Sequence, residues 1–125
     1  MTAQLMALAT YAGSASAART PRDIEHEAFA TATRRLNAAV SATGADFPAL
    51  AAALHDNLRL WTLIAADVAE PTNGLPAPLR GRLFYLAEFT RQHTSKVLAG
   101  GADPRALIDI NVAVMRGLRG GDDRI

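Results

Sequence analysis

The sequence predicts an all-α protein, a single-domain bundle of four to five helices. Apolar residues recur at helical spacing along most of the chain, and no alternating β pattern of useful length is present. The breaks between the apolar segments carry capping residues, prolines and glycines. The chain has 125 residues, which is the size of one typical domain. We therefore interpret residues 1–125 as a single helical domain.

The first complete helix is predicted to begin at Thr20-Pro21. Threonine is a favourable N-cap, and proline is favourable at the first helical position because its missing N–H has no partner there in any case. The helix should end at about Val40–Ala42, before Gly44. Its predicted inward stripe consists of Phe29, Ala32, Leu36 and Val40.

Three further helices are predicted from capping or proline signals at their starts and from turn formers or glycines at their ends. They run from Asp46 to about Val68–Ala69, from Pro76 to Gly100-Gly101, and from Asp103-Pro104 to about Gly117–Gly120. The alanine-rich residues 1–18 are expected to form an N-terminal helix that is either docked or mobile. Residues 121–125 form a polar tail.

Two asparagines occupy positions where the helical pattern places apolar residues. Asn57 shares its face with Leu54 and Trp61, and Asn111 shares its face with Leu107 and Val114. Burying an amide without partners costs roughly 1–3 kcal/mol, so each asparagine requires hydrogen bonds. We expect the two amides to bond either to each other or to backbone at a crossing of the chain.

Two aromatic residues and one histidine are candidates for function. Trp61 is either a partner anchor or a core residue, and its apolar flanks favour the core. Phe84 projects to the side of its helix that carries Arg80 and Arg91. It is either covered by another helix or part of a partner surface rimmed by arginines, because interfaces favour this mixture. His93 lies on the apolar face of the same helix and is expected to be a hydrogen-bonded core residue.

Composition excludes several classes of function. The 13 basic and 12 acidic side chains give a net charge of +1, which disfavours direct binding of nucleic acid. The absence of cysteine excludes disulfides and thiolate metal sites. No pair of histidines has ligand spacing, and no phosphate-binding loop or nucleophile elbow is present. The sequence therefore predicts a protein that is not an enzyme, without catalytic residues, metal ligands or a cofactor.

The sequence also predicts a cytoplasmic location. No stretch approaches the roughly 20 apolar residues of a membrane span. The segment Met1 to Gln4 carries no positive side chain, and the apolar run after it is too short for a signal peptide.

Several short motifs occur in one order and spacing over nearly the whole chain. They are Tyr11-Ala12, Thr20-Pro21-Arg22-Asp23-Ile24-Glu25, Asn57-Leu58-Arg59-Leu60-Trp61, Leu75-Pro76, Leu107-Ile108-Asp109-Ile110-Asn111 and Gly117-Leu118-Arg119-Gly120. In this arrangement the chain resembles the FlaF family of flagellar biosynthesis regulators of alphaproteobacteria.

The resemblance implies a small cytosolic protein that binds flagellin as an export chaperone and promotes flagellin synthesis and filament assembly. The alternative that it implies is a post-transcriptional regulator acting on flagellin mRNA, directly or through the regulator FlbT. A helical surface is suited to amphipathic flagellin segments. We expect the motif residues Pro21, Asn57, Trp61 and Asn111 to hold the fold, which leaves Phe84 with its two arginines as the candidate partner surface.

Overall fold

The computed structural model describes residues 21–41 and 46–120, and the side chains discussed below lie within 26–41 and 46–117. Within these ranges the chain is all-α, which confirms the predicted fold class, and it forms four helices without a strand. They are α1 (Pro21–Ser41), α2 (Phe47–Ala69), α3 (Ala77–Leu98) and α4 (Arg105–Gly120). The expected N-terminal helix, the cap Thr20 and the polar tail lie outside the described residues.

Aspartate caps begin α2 and contribute to the start of α4. The Oδ1 atom of Asp46 accepts a hydrogen bond from the backbone N–H of Ala49 at 3.1 Å. In the same way Oδ1 of Asp103 accepts from the N–H of Arg105 at 2.9 Å. Each bond satisfies one of the backbone donors that a helix start leaves without a partner, so both helices begin where the sequence predicts.

Helix α3 ends in a Schellman motif. The N–H of Gly101 donates to the carbonyl of Lys96 at 2.8 Å, and the N–H of Gly100 donates to that of Val97 at 2.9 Å. This geometry requires a left-handed residue, and Gly100 provides it with φ of 84°. The glycine pair therefore turns the chain from α3 toward α4.

The helices form a bundle in which each helix packs against two of the other three. Helix α2 packs against α1 and α3, while α4 packs mainly against α1 and only slightly against α3. No Cα atom of α2 lies within 8 Å of a Cα atom of α4. Helices α2 and α4 are thus diagonal partners, and only side chains can join them directly.

The core is divided into two apolar clusters. The larger one contains Phe29, Leu60, Trp61, Ile64, Val68, Leu79, Leu83 and Val114 with three buried alanines. The smaller one contains Leu36, Ala53, Leu54, Val97 and Leu107. Of the predicted stripe of α1, Phe29, Ala32 and Leu36 are buried and Val40 is half-buried.

Candidate functional site

A layer of buried polar side chains separates the two apolar clusters. In every helix the polar position lies in sequence between the residues of one cluster and those of the other. The layer, called the polar layer below, consists of Thr33, Asn57, Thr90, Thr94 and Asn111, all of them buried. Each helix contributes at least one residue to the polar layer, which lies between the two apolar clusters along all four helices.

The hydrogen bonds of the two asparagines form a chain that starts at Trp61. The indole Nε1–H of Trp61 donates to Oδ1 of Asn111 at 2.9 Å. The Nδ2 atom of Asn111 then donates to Oδ1 of Asn57 at 2.8 Å. An indole nitrogen is only a donor, so it determines which end of each amide must accept. The chain therefore joins α2 to the diagonal helix α4.

This geometry decides between interpretations that the sequence left open. The asparagines bond to each other rather than to backbone. Trp61 is a core residue with 0% of its surface exposed, and its ring packs edge-on against Phe29 at a centroid distance of 5.4 Å. The three side chains therefore belong to the interior, and a partner must be sought elsewhere.

Two atoms of the polar layer are buried without a hydrogen-bond partner in the described part of the chain. They are Nδ2 of Asn57 and Oγ1 of Thr90. The other two threonines bond to the carbonyl one turn earlier in their own helix, Thr33 to Phe29 at 2.6 Å and Thr94 to Thr90 at 2.6 Å. The polar layer therefore has defined hydrogen bonds, but two of its buried polar atoms lack a hydrogen-bond partner among the described residues.

A second buried polar group lies where α2 ends. Asn73 donates from Nδ2 to Oδ2 of Asp67 at 3.0 Å and accepts at Oδ1 from the N–H of Leu75 at 2.9 Å. Burial raises the pKa of Asp67 above its ordinary value, and Glu70 raises it further, whereas the hydrogen bond from Asn73 lowers it. The carboxyl group and the amide together hold the turn between α2 and α3.

The solvent-facing side of α3 carries three exposed aromatic side chains. Tyr85 is 67% exposed, Phe84 44% and Phe89 36%. The outward positions of α2 beyond its first turn are occupied by alanine, histidine, arginine and threonine. Tyr85 and Phe89 are four residues apart and lie on one face, whereas Phe84 points about 100° away from Tyr85. Neighbouring large exposed apolar groups are typical of contact surfaces. The outer side of α3 is therefore the candidate site for a partner.

The predicted partner surface lies on this helix. Phe84 is not covered by the residues that the structure describes. Arg91 is exposed and its Nη2 pairs with Oε2 of Glu88 at 3.1 Å. Arg80 is half-buried, and its Nη1 donates to the carbonyl of Asn73 at 3.5 Å. Of the two arginines, Arg80 therefore already bonds to the turn before α3, whereas Arg91 extends into solvent.

Tyr85 and Phe89 were not predicted from the sequence as candidate contact residues. His93 was predicted to be a core residue and is less buried than that. His93 is half-buried at the edge of α3, where its ring stacks on Phe89 at a centroid distance of 5.2 Å. Its Nε2 lies 2.8 Å from the carbonyl oxygen of Asp103; because a carbonyl oxygen only accepts, Nε2 carries the proton. The buried face of α3 continues through Thr94 and Val97, and His93 lies at its edge, which is a correction to the predicted core position.

No metal-binding chemistry is evident in the part of the chain that the structure describes. No group of three histidine, cysteine, aspartate or glutamate side chains there could hold a metal ion. Among the same residues, no helix is long and apolar enough to cross a membrane.

Fold and surface together define a small helical-bundle protein with a buried polar layer and one aromatic outer helix face. A family model described as flagellar protein FlaF matches residues 7–118. The chain therefore belongs to the FlaF family and has a flagellum-related role. A search of curated proteins and a search of solved structures each returned no match.

Proposed function

We propose that the chain binds flagellin as an export chaperone and thereby promotes flagellin synthesis and filament assembly. Membership of the FlaF family supports the flagellar context. The observation that carries the proposal is the outer side of α3, where Tyr85 and Phe89 are exposed one turn apart, while Phe84 is exposed on the adjoining side of the helix. A chaperone must offer apolar surface to its client, and this side of α3 is not covered by the residues that the structure describes.

The physical basis of binding is the burial of these aromatic side chains against a client. Aromatic residues and arginine dominate the binding energy of most protein interfaces. Phe84 and Arg91 lie on one side of α3 and are both exposed. We propose that Phe84 contacts the client and that Arg91 borders the contact. Arg80 contributes through its bond to the carbonyl of Asn73, which holds the beginning of α3 in place.

The alternative function is post-transcriptional control of flagellin mRNA, directly or through FlbT. Direct binding of RNA would require several cations available for phosphates. On α3, however, Arg91 pairs with Glu88 and Arg80 is bound to a backbone carbonyl. The other two cations of the helix, Arg82 and Lys96, are 14 residues apart and do not form a cluster. The distribution of charge thus favours a protein client, and control through FlbT would require a protein surface as well.

Co-expression with flagellin from the same genome, followed by size-exclusion chromatography and titration calorimetry, tests the proposal. We expect the two proteins to co-elute and to bind with a measurable dissociation constant. The variant Phe47→Ala is a suitable control, because Phe47 is 55% exposed but begins α2, and we expect its binding to be unchanged. Separate elution of the two proteins at tens of micromolar would contradict the proposal, whereas a salt-sensitive gel shift with the flagellin leader RNA would support the alternative.

A further inference from the structure

Five positions along α3 repeat with alternating steps of three and four residues. They are Arg82, Tyr85, Phe89, Gln92 and Lys96, and all five are exposed. This spacing is that of the a and d positions of a coiled coil, which places side chains in a single line along a helix. We call these five residues the outer seam. It lies beside Phe84 and Arg91 and faces away from the rest of the bundle.

The chemistry of the outer seam is ordered along its length. The two aromatic residues, Tyr85 and Phe89, occupy its middle, and a cation stands at each end. Arg82 and Lys96 are 14 residues apart in sequence, which corresponds to about 21 Å along the helix. A partner of matching form would be a helix of about four turns.

Charge on α3 indicates which kind of helix this partner is. Helix α3 carries Arg80, Arg82, Arg91 and Lys96 against Glu88, so its net charge is 4 − 1 = +3. By the same count α2, with one arginine and two aspartates, has 1 − 2 = −1. Helix α4, with three arginines and one aspartate, is also positive. Helix α3 has the largest net positive charge of the four helices and also exposes aromatic residues, so its outer side complements an acidic partner.

The same charges disfavour a second copy of this chain as the occupant. In a parallel pair of seams Arg82 would face Arg82 and Lys96 would face Lys96. In an antiparallel pair Arg82 would face Lys96, so like charges would meet in both arrangements. Repulsion of this kind selects against self-pairing of helices.

Phe89 is held in position before any partner arrives. The ring of His93 stacks on it with an interplanar angle of 16°, and the bond from His93 to the carbonyl of Asp103 fixes that ring in turn. A side chain that is already ordered loses less conformational entropy on binding. Phe89 is therefore suited to be the central anchor of the contact.

We propose that the outer seam binds one amphipathic α-helix, whose apolar stripe packs on Tyr85 and Phe89 and whose acidic residues border the stripe. The two acidic positions that meet Arg82 and Lys96 are about two heptads apart. The identification of this helix as a segment of flagellin rests on the function proposed above. The pairing resembles a two-stranded coiled coil in which α3 is one strand.

Titration of the full chain with two probes tests this proposal. The first probe is monomeric flagellin, and the second is a four-heptad peptide with leucine at its a and d positions and glutamate at its e and g positions. We expect both to bind, and we expect Tyr85→Ala, Phe89→Ala and Lys96→Glu each to weaken binding about tenfold or more. Phe47→Ala and Arg116→Glu are the controls, because both residues are exposed on other helices, and they should change binding less than about twofold.

The outcomes separate this inference from the proposed function. Binding of flagellin that the seam variants leave unchanged overturns the seam, while the proposed function stands. Binding of the peptide without binding of flagellin retains the seam and overturns the proposed function. Binding of neither probe, or displacement of the peptide by single-stranded RNA, overturns the seam.

Discussion

Asn111 and Asn57 are hydrogen bonded to each other at 2.8 Å although their helices are diagonal neighbours in the bundle. Trp61 determines the direction of this bond, because its indole N–H donates to Asn111. The pair therefore connects α2 and α4, which have no Cα atoms within 8 Å of each other. The pair fixes the position of α2 relative to α4 and lies wholly in the interior, away from the exposed side of α3.

The variant Asn57→Leu should lower the free energy of unfolding by about 1–3 kcal/mol, because Nδ2 of Asn111 would remain buried without an acceptor. Asn111→Leu should cost more, since it leaves both the indole N–H of Trp61 and Oδ1 of Asn57 unpaired. Urea denaturation of the two variants measures this order. A melting temperature that is unchanged or raised by Asn57→Leu would show that the bond does not stabilise the fold.

The variant Thr90→Val should raise the free energy of unfolding by up to about 1 kcal/mol. Oγ1 of Thr90 is buried without a partner in the described residues, so a methyl group of similar size removes an unsatisfied hydroxyl. Thr94→Val is the matched control, because the hydroxyl of Thr94 is bonded to the carbonyl of Thr90. Thermal unfolding of both variants compares their stabilities, and we expect Thr94→Val to be the less stable of the two. A loss of stability in Thr90→Val would contradict the prediction.

The variant Asp67→Asn should stabilise the protein at pH 7 and lose this advantage on acidification. Burial raises the pKa of Asp67 in the folded state above the ordinary value of 3.8, so the folded state takes up a proton more readily than the unfolded state. The contribution of Asp67 to stability therefore improves as the pH falls through the folded pKa and becomes constant below about 3.8. Urea denaturation of both proteins between pH 7 and pH 4 measures the difference in their free energies of unfolding. A difference that does not change with pH would exclude the raised pKa of Asp67 as its cause.

The variant Phe84→Ala should leave the free energy of unfolding within about 0.5 kcal/mol of the original value, because the side chain is exposed. Binding of flagellin should weaken, but less than in Tyr85→Ala or Phe89→Ala, because Phe84 borders the outer seam and does not belong to it. Thermal unfolding and calorimetric titration of the same samples check both parts. A large loss of stability would instead make Phe84 a structural residue.

The helix boundaries could be predicted because their signals are local. Asp46 and Asp103 bond to N–H groups two or three residues away, and Gly100 supplies the left-handed conformation that ends α3. Burial of Asn57 and Asn111 could be predicted from helical periodicity alone. Their link through Trp61 could not, because it depends on how distant helices are placed.

The rest of the site depends on information that a local pattern lacks. The burial of Thr94 could not be predicted. Its hydroxyl bonds to a carbonyl of its own helix, so no second polar residue in the sequence marks this position as buried. His93 follows the period of the apolar face but lies at its edge, where the turn before α4 supplies a carbonyl. The three-and-four spacing of the outer seam is present in the sequence, but the spacing alone does not show that this side of α3 is exposed.

A photo-crosslinking measurement tests the central claim most directly, namely that the outer side of α3 contacts flagellin. The amino acid p-benzoylphenylalanine is placed at position 85 in one protein and at position 47 in another, since both native side chains are exposed aromatics. After irradiation with monomeric flagellin, we predict a covalent product from position 85 and little or none from position 47. A product from position 47 alone, or equal yields from the two positions, would contradict the account.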